Sequence, residues 1–236
     1  MKNKNALIFG LFCLFTTNTF AQKTSRKDEL VTITTDKGTM RFILFDETPK
    51  HKANFIKLAK DGFYDGLLFH RVIDDFMLQT GDPNSRNAKP TDMLGRGENG
   101  YKIPAEFNPK LYHQKGALAA ARDNNPAKES SGCQFYIVEG RKWSKADLDK
   151  QAARAARKLT EGQRKVYEKV GGTPHLDGSY TVFGQLVDGM DVIDKIASVD
   201  KDEKDRPKEN LAMKKVSVKN MKKKKITRKY GWKYEA

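Results

Sequence analysis

The sequence predicts a single all-β domain, a barrel or a sandwich, carrying a few helices. Three observations predict it. Short runs rich in β-branched and aromatic residues recur between turn residues from Leu30 to Val218, the spacing of strands in a closed or stacked sheet. Helical periodicity shows in only three places. The 236 residues, 38% of them apolar, suffice for one sizeable core.

The first twenty-odd residues stand apart from that domain. Lys2 and Lys4 precede an apolar run from Ala6 to Phe15, followed by small or polar residues ending Thr19-Phe20-Ala21, the pattern of a secretory signal peptide cleaved near Ala21. The run is about half of the ~20 residues that span a bilayer. No later stretch is long and apolar enough to span one either, so a soluble exported protein of the periplasm or cell envelope is expected. Within the domain, Leu30 to Thr35 and Thr39 to Phe45 flank Asp36-Lys37-Gly38, a hairpin signal. Thr48 offers an N-cap, Pro49 a first helical position and Gly62 a stop, so a helix is predicted from about Pro49 to Asp61. Strands follow at Leu67 to Ile73, Phe76 to Thr80, Ala117 to Ala121, Gln134 to Val138 and Thr181 to Val187. A second helix fits Gly189 to Ser198, and Met213 to Val218 reads as a closing strand.

Residues 141–172 break the pattern. Ser144 with Asp147 and Thr160 with Gln163 resemble capping boxes, and Leu148, Ala152, Ala155 and Leu159 recur at helical spacing, which predicts a helical hairpin inserted between strands. Charge sets the same segment apart: it holds ten Lys/Arg against four Asp/Glu, a balance of +6. Residues 214–236 hold ten against one, a balance of +9, so these two segments account for the whole net charge of +15. The four lysines from Lys222 to Lys225 repel one another, and a mobile extension is expected there. The organisation read from the sequence is therefore a signal peptide at 1–21, a domain at 28–220 interrupted by 141–172, and a basic tail at 221–236. Once the signal segment is removed Cys133 stands alone, and no internal disulfide can form.

The chemistry concentrates in the run Phe69-His70-Arg71-Val72-Ile73-Asp74-Asp75-Phe76-Met77-Leu78-Gln79-Thr80-Gly81-Asp82. It resembles the active-site signature of the cyclophilin-type peptidyl-prolyl cis/trans isomerases almost position by position. Gly116 to Arg122, Ser131 to Ile137 and His175 to Gly184 are similar to three further blocks of that family, at matching spacing, and the likeness covers roughly Leu30 to Val218 without the insertion. The resemblance implies an eight-stranded antiparallel β-barrel capped by two helices, here with a helical hairpin inserted. It also implies an enzyme without metal or cofactor, acting on proline-containing segments of unfolded or refolding proteins. By the same resemblance Arg71 and Gln79 are the catalytic pair, and Phe76, Met77, Tyr136 and Leu176 wall the slot for the proline ring. Ala121, Arg122, Gln134, His175 and Tyr180 complete the substrate-binding set. Four positions depart from common members: Arg122 stands for Asn, Tyr136 for Phe, Tyr180 for His, and His175 for a Trp that contacts cyclosporin, the last of which implies weak binding of that inhibitor.

Physical chemistry explains those residue types. Amide resonance opposes rotation about an X-Pro bond with a barrier of ~20 kcal/mol, and no covalent bond has to break. A catalyst has only to grip the ring and favour the twisted amide, whose nitrogen gains a lone pair. A guanidinium keeps its proton at ordinary pH and can donate to that nitrogen.

Other readings carry less. His51, His113 and His175 lack metal-ligand spacing, and Gly95 to Gly100 lacks the Gly-Lys-Ser/Thr ending of a phosphate loop. Cys133 with a distant His could suggest a thiol nucleophile, but its block reads as a groove strand. The terminal lysines with Tyr230, Trp232 and Tyr234 could grip nucleic acid, yet export argues against it. A monomer is expected, with at most weak attraction of the basic tail to anionic envelope surfaces. A non-catalytic module using the same groove is the rival, against which the intact Arg71, Phe76 and Gln79 speak.

Overall fold

The structure is a computed structural model that describes residues 25–154 and 157–234. The expected signal peptide and cleavage site lie outside the described residues, as does Ala155. Ten strands and five helices follow in chain order: β1 (Lys27–Thr35), β2 (Gly38–Leu44), α1 (Pro49–Lys60), β3 (Arg71–Ile73), β4 (Met77–Thr80), β5 (Lys102–Ile103), β6 (Ala117–Ala120), β7 (Ser130–Ser131), β8 (Phe135–Val138), α2 (Lys145–Arg154), α3 (Glu161–Lys169), β9 (Val182–Asp188), α4 (Met190–Ala197), β10 (Lys215–Lys222) and α5 (Lys223–Tyr230).

Eight strands form one antiparallel sheet in the order β10-β1-β2-β9-β6-β8-β4-β3, and β5 pairs with β7 beside it. The expected closed barrel is not completed by a strand ladder, because the edges β3 and β10 do not pair. Irregular backbone spans the gap instead: Gly66 and Phe69 donate to Met213 and Leu211 at 2.7 and 2.9 Å, and Met213 donates back to Leu67 at 2.8 Å. The run from Leu67 that was predicted as strand therefore narrows to β3, since its first residues bond to loop rather than to a neighbouring strand.

Alternation of side chains sorts the sheet into two faces. Leu78, Leu118, Phe135 and Ile137 join the main core, closed by Phe55 and Leu58 of α1 and by Ile193 and Ile196 of α4. Met77, Ala117, Ala119, Ala121, Tyr136 and Val138 point the opposite way into a second apolar cluster with Phe76, Leu176 and Tyr180 around it. One-residue offsets along the same strands thus build the core on one side and the candidate site on the other.

The helix from Pro49 starts where predicted, but Thr48 does not cap it. Its hydroxyl turns back to the Phe45 carbonyl. Glu106, from a distant loop, accepts from the N–H groups of Lys50 and His51 at 3.1 and 3.0 Å, placing a carboxylate at the positive end of the helix. The insertion is the predicted hairpin. Thr160 and Gln163 make a reciprocal capping box at the start of α3, Arg164 bridges to Asp149 of α2 at 2.7 Å, and Leu148, Leu159 and Tyr167 form a small core of their own.

The end of the chain differs from expectation. Lys219 and Lys222 pair with Leu30 and Lys27 of β1, and α5 follows directly, stopped by Gly231 at φ +72°. Ile226 is fully buried against Leu30 and Ile43, with Tyr230, Trp232 and Tyr234 packed around it. Lys222, Lys224 and Lys225 are exposed, where solvent and salt screen their repulsion, Lys223 lies 4.8 Å from the Tyr234 ring centre, and the apolar side of the helix decides its place.

Candidate active site

Arg71 and Gln79 face one another across the β3–β4 ladder, because the turn between Ile73 and Met77 is short and Asp75 takes the left-handed conformation at φ +58°. Their side chains stand on the face opposite the main core. A hollow of about 190 Å³ opens there, lined by Arg71, Phe76, Met77, Gln79, Ala121, Arg122, Tyr136, Leu176 and Tyr180. Nine of the eleven residues singled out in the sequence meet in this one place, so the apolar walls and the guanidinium share a single opening.

The remaining two stand at its borders. Gln134 donates to the Gly97 carbonyl at 2.8 Å and accepts from Gln79 Nε2 at 3.2 Å, which bonds the Gln79 amide to Gln134 rather than to Arg71. With Gln79, Ala121 and Arg122 it lines a neighbouring hollow of about 310 Å³. His175 stacks on Phe76, ring centres 5.5 Å apart, and forms the rim toward the insertion. There it borders a third hollow with Trp143, Gln151 and Arg154, so the insertion flanks the groove.

Arg71 is nearly half exposed, and its nearest carboxylate is Asp205 at 3.8 Å. A pair that long and that wet holds the guanidinium only loosely, leaving it free to turn toward a bound amide. Arg122 is held more firmly: Nε donates to the Ser179 carbonyl at 3.0 Å and the guanidinium lies 4.6 Å from the Tyr180 ring centre, a cation–π contact that fixes that wall. Tyr180 in turn meets Tyr136 edge-on at 6.0 Å.

A larger hollow of about 920 Å³ lies on the other side of Arg71, between residues 90–96 and 201–208. Most of its lining side chains are charged or polar, with Pro90, Met93 and Leu94 among the apolar ones, and it lacks the Phe76 and Tyr136 walls of the smaller hollow. His70 borders it, buried and with its pKa lowered to about 4, chiefly by burial; it is neutral and sits behind Arg71. Cys133 is buried as well, and burial pushes its thiol up to about 11. It is protonated at neutral pH, which removes the thiol-nucleophile reading.

Comparison with known proteins gives the family and the fold. Residues 30–218 match the family described as cyclophilin type peptidyl-prolyl cis-trans isomerase/CLD. The chain is 40% identical over 193 residues to a protein of Streptococcus pyogenes serotype M6 named a bifunctional phosphatase/peptidyl-prolyl cis-trans isomerase, covering 80% of this chain but only 38% of that protein. It is 36% identical over 185 residues to a peptidyl-prolyl cis-trans isomerase of Staphylococcus saprophyticus, covering 78% and 88% of the two chains. Among solved structures, a cyclophilin type isomerase of Cryptosporidium parvum superimposes with a TM-score of 0.60 at 24% identity, over 82% of this chain and 98% of the other. That last likeness concerns the fold alone. The antiparallel sheet with its packed helices gives the class of fold, and the family match over residues 30–218 makes the assignment specific. The chain belongs to the cyclophilin-type peptidyl-prolyl cis-trans isomerases.

Sequence reasoning missed three residues. Asp205 and Glu106 come from loops with no motif around them, and only the fold brings them to Arg71 and to the start of α1. His113 lies behind Tyr136, its Nε2 2.9 Å from the phenol oxygen; the sequence offered it only as a failed metal ligand.

Proposed function

We propose that this hollow seats the proline ring of an X-Pro bond in unfolded or refolding exported proteins and that Arg71 lowers the barrier to its rotation. Phe76, Met77, Tyr136 and Leu176 grip the ring. The peptide on the other side of the bond runs along Ala121 and Arg122, toward Gln79 and Gln134. As the amide twists, conjugation is lost and the prolyl nitrogen becomes a hydrogen-bond acceptor, which Arg71 satisfies while also holding the neighbouring carbonyl. No proton is transferred and no covalent intermediate forms. A neighbouring solved structure is of the Cryptosporidium isomerase in the presence of the dipeptide Ala-Pro, which fits the same class of ligand. The basic C-terminal segment, in this reading, draws the enzyme weakly to anionic surfaces of the envelope.

The observation that carries the proposal is the meeting of a loosely held guanidinium and four apolar walls in one hollow. One charge-assisted hydrogen bond of ~1.5–3 kcal/mol made only in the transition state is worth about one to two decades of rate. Arg71→Ala is therefore expected to lower kcat/KM on a short Ala-Pro peptide about 10- to 100-fold in a protease-coupled assay, with Tm unchanged. A variant as active as the wild type, or a wild type no faster than the uncatalysed reaction, would reject the assignment.

A further inference from the structure

The helical insertion is joined to the wall of the ring-holding hollow by an unbroken chain of buried polar contacts. Tyr167 of α3 donates its hydroxyl to Asp177 Oδ2 at 2.8 Å, and Arg157 Nη1 stands 3.3 Å from the same oxygen. Asp177 Oδ1 accepts from the backbone N–H and from Nδ1 of His113, both at 2.8 Å. His113 Nε2 is 2.9 Å from the Tyr136 hydroxyl, and the two rings stack 12° from parallel. Tyr136 then forms part of the hollow itself. The side chains of His113 and Asp177 are 1% and 0% exposed, so water is no substitute partner for either.

The proton arrangement follows from the donors and acceptors present. A carboxylate only accepts, so Nδ1 of His113 carries the proton of that contact, and Nε2 shares the other hydrogen bond with the Tyr136 hydroxyl. Burial raises the pKa values of Tyr136 and Tyr167 well above the ordinary phenol range, keeping both as donors. Backbone contacts reinforce the link: Thr173 and Lys115 bond the returning end of the insertion to both sides of His113, at 2.8 and 3.0 Å. Gly172, at φ +144°, passes so close that a Cβ there would stand 2.1 Å from the His113 carbonyl oxygen.

We propose that the insertion is a positioning element of the isomerase, in which Tyr167 and Arg157, through Asp177 and His113, hold the Tyr136 ring at the depth the proline slot requires. The idea rests on the reading of the hollow as that slot. It makes two features of this chain, a hydroxyl at position 136 and the inserted hairpin, parts of one device. A phenylalanine at 136 would have nothing to offer His113, and the chain of contacts would end short of the substrate.

The test is a double-mutant cycle. Tyr167→Phe removes one hydrogen bond and is expected to raise KM for an Ala-Pro peptide about three- to tenfold while leaving kcat within about twofold. In the Tyr136→Phe background, compared with that background's own baseline, the same change should shift KM by less than about twofold. Arg157→Met provides a second cycle with the same expectation should Tyr167→Phe fold poorly. Tm should fall in both backgrounds, so stability does not report the coupling and KM does. Equal KM effects in both backgrounds, or a lowered Tm with KM unmoved, would overturn the proposal. An inactive wild type would instead sink the isomerase reading, whereas an active, Arg71-dependent enzyme with additive effects sinks only the relay.

Discussion

His70 is the residue through which pH should act most plainly on stability. Its folded pKa of about 4 lies below the ordinary histidine value of 6.5, chiefly because burial disfavours the charged ring, with Asp82 opposing that trend. Between those two values the unfolded chain binds a proton that the folded chain does not, so stability is full above pH 6.5 and declines as pH falls toward 4. The shift corresponds to about 3 kcal/mol at most. His51, also buried with its pKa lowered by desolvation, adds to the loss in the same direction. His70→Leu should flatten the fall in urea midpoint between pH 7 and pH 4.5; an unchanged slope would show that other groups carry it. At this scale the sequence was most legible where chemistry imposes a pattern, since Arg71, Phe76, Met77 and Gln79 sit within nine residues. The partners that tune them were hidden: nothing local marks His113 as the hydrogen-bond partner of Tyr136, because 23 residues separate them and the β6–β8 pairing brings their neighbourhoods together.

Secondary elements show a different division. Hairpin, helix and insertion were readable because turn residues, capping boxes and apolar spacing are local signals; the first helix ends one residue early and the first strand begins three residues before Leu30. The C-terminal helix was not, because charge density concealed a short apolar pattern: Ile226 and Tyr230 lie four apart on α5, enough to dock it with Trp232 and Tyr234. Ile226→Ala should cost about 2–4 kcal/mol through lost burial and the cavity left behind. A drop in Tm of several degrees with isomerase activity at 25 °C retained is the expected result. A Tm equal to that of the wild type would mean that the segment contributes nothing to the folded state.

Over the whole molecule, charge and chemistry occupy separate territory. The groove lies on the cluster formed by β4, β6 and β8, whereas the solvent-facing lysines of α5 lie beyond the β1–β10 edge. Binding to vesicles rich in anionic lipid should therefore weaken steeply between roughly 50 and 300 mM salt, as exposed charges are screened over about 10 Å at 0.1 M. Replacing Lys224, Lys225, Arg228 and Lys229 with Gln should abolish that binding and leave peptide isomerisation intact; salt-insensitive binding would argue for another contact. The gap between the edges β3 and β10 was read least well at this scale: strands were expected from Leu67 and from Met213, whereas the backbone there makes only a few cross-bonds and the ladder does not close. The pairing of β1 with β10 has a further consequence for synthesis. Leu30 must wait for Lys219, so a chain under synthesis cannot complete this edge of the sheet until residue 219 has been made, and closing so long a span slows folding.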